Sequence, residues 1–266
     1  MNTHRKILSH GKLFVVKLGT GVLSRADGSL DPLRIRHLAQ QVAALRKQKR
    51  QVLLVTSGAI SAGMSRLQLR QRPSGISDLQ ACAAVGQNLL MHRYEHAFAD
   101  ENLIVAQILL THDDFKHHTR RENARRTMLN LLQMGVVPVV NENDAVSFEE
   151  IKFGDNDQLA SMVTELLSAS VCIILSNVDG YLINRSANTP ESKTGILHTI
   201  PEITPEIEKH AGDAGSDRSV GGMRSKIMAA KRVLATGCPL IIANGRTPDI
   251  LPRLIAGEEI GTIFLP

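Results

Sequence analysis

Six short apolar runs punctuate the sequence: Leu13 to Leu18, Gln51 to Thr56, Leu103 to Leu110, Val136 to Val140, Val171 to Ser176 and Pro239 to Ala243. They are rich in β-branched residues and scarcely alternate with polar ones. A strand with one solvated face must alternate, so unalternated runs mark strands buried on both faces, as in a parallel sheet. Between most of them the apolar spacing is helical, over Pro32 to Lys49, Ser77 to Ala99, Arg121 to Met134, Asn156 to Ser168 and Met223 to Thr236, and several of these segments follow an Asp, Ser or Asn suited to capping. Strand then helix, repeated, predicts an α/β protein with right-handed crossovers and helices on both faces of the sheet. Ligands in such sheets bind beyond the carboxyl ends of the strands. Two connections, 141–154 and 179–222, lack strong periodicity, and the apolar pieces in the second predict a small hairpin and a short helix.

The length of 266 residues allows one large domain or two small ones, and 43% hydrophobic against 21% charged residues excludes wholesale disorder. Lys and Arg outnumber Asp and Glu by 31 to 26, a formal charge of +5, so the surface favours anions without the dense basic field of a dedicated nucleic-acid binder. With no Trp and two Tyr, the chain offers few platforms on which bases could stack. Cys82, Cys172 and Cys238 form no CxxC pair and read as three buried thiols in a reducing compartment. The amino terminus has no apolar stretch of signal-peptide length, and no run of about 18 apolar residues could span a bilayer. The expectation is a soluble cytoplasmic protein that engages neither membrane nor nucleic acid.

Four clusters fall at predicted strand ends. The first run ends in Lys17, Leu18, Gly19, Thr20 and Gly21, a lysine beside a glycine turn whose amides could cradle an anion. Taken alone, Lys17 reads equally as a strand-end lysine reaching solvent. The second run ends in Thr56, Ser57, Gly58 and Ala59 before a helix. An ordinary capped helix start explains that cluster by itself, and its repetition of the first points to a shared phosphate or carboxylate site. The third joins Asn141, Glu142, Asn143 and Asp144 to Lys152 and to Gly154, Asp155, Asn156 and Asp157. A turn and a helix cap account for one or two of these, whereas so many carboxylates and amides suit a zwitterion or a metal. The fourth, Ser219, Val220, Gly221, Gly222, Met223, Arg224, Ser225 and Lys226, brings backbone amides and a second lysine to a helix start. The histidines show no metal-ligand spacing.

Two lysines converging with glycine loops suit transfer of charge between two anions, which is the demand of phosphoryl transfer. A carboxylate acceptor needs no general base, because with a pKa of about 4 it is already ionised at neutral pH.

Through VVKLGT, VTSGAI, AAVGQ, ILLT, ENAR, VVPVVNENDAV, EIKFGDND and GGMRSK the sequence resembles the glutamate 5-kinases of the amino acid kinase family over nearly its whole length. The resemblance implies a three-layer αβα sandwich around a mainly parallel open sheet, a single domain over 1–266 with the amino-acid side in about 10–170 and the nucleotide side in about 171–266. It implies phosphorylation of the L-glutamate γ-carboxylate by ATP to γ-glutamyl phosphate, the first step of proline synthesis. Lys17 and Lys226 would neutralise the moving phosphoryl group, and Asp157 would hold both lysines. Ser57, Asn141, Asp144 and Asn156 would hold glutamate, with Asp144 on the ammonium. Gly19, Thr20 and Gly58 would contact phosphoryl oxygens, and Ser176, Asn177, Gly221, Gly222 and Met223 would lie on the nucleotide side. Lys152 receives no task. Mg2+ would ride on the ATP phosphates, with no dedicated protein cage.

The chain departs from the family's common Thr-Asp at Ser176 and Asn177 and from its common Gly-Thr at Ser219 and Val220. It stops at Pro266, just after the apparent last strand, which is read as a form without the small carboxyl-terminal PUA domain of many members. A homo-oligomer, dimer or tetramer, and a functional link to γ-glutamyl phosphate reductase are further implications. The alternatives are a sister kinase with another acceptor and a non-catalytic nucleotide or amino acid sensor of the same fold.

Overall fold

Alternate residues of strand β1 (Leu13–Leu18) serve two separate cores in the computed structural model, which describes residues 5–25, 27–146, 156–183, 195–213 and 222–266. Phe14, Val16 and Leu18 pack with Ile35, Leu38 and Val42 of helix Pro32–Lys47 and with Leu90, Tyr94 and Phe98 of helix Ile76–Ala99. Leu13 and Val15 pack on the other face, with Met128 and Leu132 of helix His118–Gln133, Leu159 and Val163 of helix Asn156–Leu167, and Ile227 and Val233 of helix Met223–Leu234. Both faces are thus covered, which is why these runs carry no polar alternation. The layers are helix, sheet, helix, as expected.

The remaining strands are β2 (Gln51–Thr56), β3 (Val105–Leu110), β4 (Val137–Glu142), β5 (Val171–Ser176), β6 (Tyr181–Ile183), β7 (Gly195–Leu197), β8 (Thr199–Ile200), β9 (Leu240–Asn244) and β10 (Thr262–Phe264). Eight of them form one sheet in the order β3-β4-β2-β1-β5-β9-β10-β8, parallel except where β10 meets β9. Because β1 lies between β2 and β5, the carboxyl ends of β1, β2, β4 and β5 come together at one rim of the sheet. The expected hairpin is β6 with β7, and the expected short helix is Pro205–Asp213.

One boundary and one strand's exposure differ in a way that matters. Strand β4 runs two residues beyond its apolar stretch, since Asn141 and Glu142 pair with Leu109 and Leu110 of β3, so the polar cluster begins on the strand itself and not in the connection. Strand β3 is an edge strand and is only half-buried, which its apolar composition does not reveal.

Helix Ala59–Arg66 starts from Gly58, whose φ of 103° is a conformation that glycine adopts without strain. It lies in backbone contact with helix Ile76–Ala99. A Cβ on Gly63 would sit 1.8 Å from the Cys82 carbonyl oxygen, and one on Gly86 would sit 1.7 Å from the Ala59 carbonyl oxygen. Gly86→Ala must therefore part the two helices, an overpacking cost of about 1–3 kcal/mol. The lowered melting temperature should come with a raised substrate KM, because Ala59 anchors the Ser57–Gly58 turn. A variant with the parent melting temperature would deny the close approach.

Candidate active site

The parity of β1 decides where Lys17 points. Two residues after Val15, it faces the layer formed by helices Asn156–Leu167 and Met223–Leu234. There its Nζ lies 2.8 Å from Asp157 Oδ1, while Lys226 Nζ lies 3.0 Å from Asp157 Oδ2. Ser225 Oγ also donates to Asp157 Oδ2 at 3.2 Å. All three charged side chains are buried, at 7%, 4% and 1% exposure for Lys17, Lys226 and Asp157. Burial pushes the Asp157 carboxyl towards neutrality, but the two ammonium groups, by charge and by hydrogen bond, more than offset this and hold it below the usual carboxylate range.

Among the described residues two ammoniums share the Asp157 carboxylate, so these three groups together carry one surplus positive charge in a poorly solvated place. A purely structural ion pair would be neutral, since unbalanced buried charge is costly. The surplus suits an incoming anion.

The glycine turns lie around this pair. A Cβ at Gly19 would be 3.6 Å from Lys17 Nζ, one at Gly58 3.8 Å from Thr20 Cγ2, and one at Gly21 3.8 Å from Asn177 Cβ. The ends of β1, β2 and β5 are thus in contact. The Gly19 N–H donates to the Leu175 carbonyl at 3.0 Å, so it is engaged within the sheet rim, and the amides that follow it open helix Thr20–Leu23. Ser176 Oγ donates to Asn177 Oδ1 at 3.3 Å. Gly222 caps helix Met223–Leu234, which carries Lys226, in extended conformation and has no side chain to offer the first amides. Lys152, Gly154, Asp155, Ser219, Val220 and Gly221 lie outside the described residues.

On the other side of the lysine pair Asn156 Nδ2 donates to Ser57 Oγ at 3.0 Å and to Asn141 Oδ1 at 3.2 Å. Next to these amides is a cavity of about 280 Å³ lined by residues that include Gln87, Gln107, Glu142, Asn143 and Asp144. Burial raises the Asp144 carboxyl pKa to about 6, against the pull of the Arg72 charge. The structure therefore brings Lys17, Lys226 and Asp157 into direct contact, joins Ser57, Asn141 and Asn156 by hydrogen bonds, and sets Asp144 on the adjoining cavity. Sequence reading assigned nothing to Ser225, Gln87 or Gln107. The first two lie within the quoted GGMRSK and AAVGQ motifs, and Gln107 had no signal of its own.

An ammonium in the cavity would need Asp144 ionised. Below pH of about 6 the carboxyl takes up its proton, and kcat/KM for an amino acid substrate should fall about tenfold per unit, with the KM for the phosphoryl donor unmoved. The stability effect has the opposite sign. A raised carboxyl pKa favours the folded state at low pH and loses that contribution as pH rises through about 6. Asp144→Asn should accordingly abolish the acid limb and melt no lower than the parent at neutral pH.

The profile of the amino acid kinase family matches residues 12–244. A glutamate 5-kinase of Geobacter sulfurreducens is 45% identical over 98% of this chain, which spans 69% of that protein. One from Clostridium perfringens is 43% identical over 98% of both chains. The chain belongs to the amino acid kinase family. Among solved structures, carbamate kinase from Giardia lamblia bound to AMP-PNP superposes with a TM-score of 0.66 at 18% identity, covering 97% of this chain and 99% of that one. UMP kinase from Bacillus anthracis gives 0.60 at 13% identity, covering 96% of each. At such identities the two structures carry the amino acid kinase fold and nothing finer. Among the described residues no helix is long and apolar enough to cross a membrane.

Proposed function

We propose that this chain transfers the γ-phosphoryl group of ATP to the γ-carboxylate of L-glutamate, releasing ADP and γ-glutamyl phosphate, the reaction that opens proline biosynthesis. The observation that carries the reading is the buried Asp157 carboxylate gripping Lys17 and Lys226 beside an amide-lined cavity that holds Asp144. Relatives of 43–45% identity named glutamate 5-kinase support the acceptor.

A γ-carboxylate oxygen attacks the terminal phosphorus in line, the new O–P bond forms, and the bond to the β-phosphate oxygen breaks. Both partners are anions, so repulsion is the obstacle and proton removal is not. Lys17 and Lys226 neutralise the phosphoryl oxygens as charge shifts towards the leaving group. Asp157 fixes both ammonium groups before substrate arrives, so little reorganisation is needed at the moment of transfer. Thr20 and Gly58 border the phosphoryl position, and Ser176, Asn177, Gly222 and Met223 the nucleotide side. Ser57, Asn141 and Asn156 bind the amino acid, with Asp144 on its ammonium. Magnesium would supply further charge neutralisation on the ATP phosphates. It would come bound to the nucleotide, largely hydrated as this ion prefers. The acyl phosphate product is labile, and a reductase of the γ-glutamyl phosphate class is the partner enzyme that would consume it.

The test is an ATP- and magnesium-dependent assay in which hydroxylamine traps acyl phosphate as hydroxamate, run on glutamate, aspartate and N-acetylglutamate. Product from glutamate alone is expected, and its near-disappearance in Lys226→Ala. Product from another acid would reassign the acceptor, and none from any acid in a folded protein that binds ATP would favour a sensor.

A further inference from the structure

The amides around Asn156 form a longer series than substrate contact requires. Gln87 Nε2 donates to Gln107 Oε1 at 3.0 Å, Asn141 Nδ2 donates to Gln87 Oε1 at 2.8 Å, Asn156 Nδ2 donates to Asn141 Oδ1 at 3.2 Å, and it also donates to Ser57 Oγ. One backbone group sets the direction of the whole series. The Glu142 N–H donates to Asn141 Oδ1 at 2.9 Å, and a backbone N–H can only donate. Asn141 must then turn its Nδ2 to Gln87, Gln87 its Nε2 to Gln107, and Asn156 its Nδ2 to Asn141.

Two consequences reach the substrate. Asn156 Oδ1 is turned away from the series and has no hydrogen-bond partner among the described residues, although Asn156 is only 8% exposed. Ser57 Oγ already accepts a hydrogen bond, so its own proton is available to a carboxylate. A buried acceptor left open is costly unless a ligand donor fills it, and an ammonium is such a donor.

We propose that Gln87 is a positioning residue for the acceptor amino acid: through Asn141 it holds Asn156 with its carbonyl, and Ser57 with its hydroxyl proton, facing the substrate, and Gln107 in turn holds Gln87. This rests on the glutamate reading above. Gln87 also lines the cavity, so its amide is placed to shape the acceptor pocket from helix Ile76–Ala99, an element remote in sequence from Asn141 and Asn156.

The experiment compares the full-length parent with Gln87→Met, Asn156→Ala, the double variant and Gln107→Met, varying glutamate and ATP separately in the hydroxamate assay and measuring glutamate affinity by calorimetry. Gln87→Met keeps the length of the side chain and loses both hydrogen bonds, and it should raise the glutamate KM about tenfold with the ATP KM within about twofold. If Gln87 acts through Asn156, the double variant costs little more than Asn156→Ala alone. Strictly additive effects, an unchanged glutamate KM, or equal rises in both KM values would overturn the proposal. Should Gln87→Met fail to fold, exposed Gln107→Met decides, with a rise of a few-fold expected and parity overturning. A parent that neither binds nor phosphorylates glutamate sinks the functional reading and this inference together, whereas an active parent with indifferent variants sinks the inference alone.

Discussion

Lys226→Ala should lower kcat by about two to three orders of magnitude, the range found when one preorganised donor to a developing anion is removed. The glutamate KM should stay within about twofold of the parent, because Lys226 meets the amino acid only through the phosphoryl group that passes to it. The variant should fold. With Lys226 gone, Asp157 keeps Lys17 at 2.8 Å, and the buried pair that remains is neutral. Removing Asp157 instead would leave two buried ammoniums facing each other, so a loss of activity there would mix chemistry with stability. Steady-state kinetics with each substrate varied separately provides the check. An unchanged kcat would remove Lys226 from the mechanism and leave its ion pair as architecture.

Asp144→Ala should act on the other parameter. Losing one partner of a desolvated charge pair costs about 2–5 kcal/mol, and each 1.4 kcal/mol is about tenfold in affinity. The expected rise in the glutamate KM is about thirtyfold, at the lower end of that range, since a carboxyl with a pKa of about 6 already bears part of the cost of ionising in its buried position. The kcat at saturating glutamate should change little, because the ammonium is remote from the reacting carboxylate. Parity with the parent would move the ammonium site elsewhere in the cavity. The two variants together divide the site into a half that drives transfer and a half that selects the acceptor.

Much of this was legible before the structure. All six apolar runs are strands, because burial on both faces removes the polar alternation that would otherwise interrupt them. The polar clusters at their ends come together, as Lys17 with Asp157 and Lys226 and as Ser57 with Asn156 and Asn141, since a sheet of this kind gathers its strand ends at one rim. The edge position of β3 was not legible, because neighbours in a sheet are chosen by long-range packing and not by the strand's own composition. The same holds for the antiparallel β10 and for Arg5, whose buried guanidinium donates to the carbonyls of Glu258, Ile260, His198 and Gly261.

Local sequence determined the elements and the chemical inventory: which residues are strands, and where the lysines, amides and carboxylates cluster. Tertiary structure decided how those groups face one another. Lys17 and Lys226 share one carboxylate only because strand parity and two helices bring them to the same side of the sheet. Asn156 turns its oxygen away from the series only because a single N–H on β4 orients amides drawn from four distant segments. Pairings of this kind depend on register and close approach across the whole fold, and no local pattern of residues encodes them.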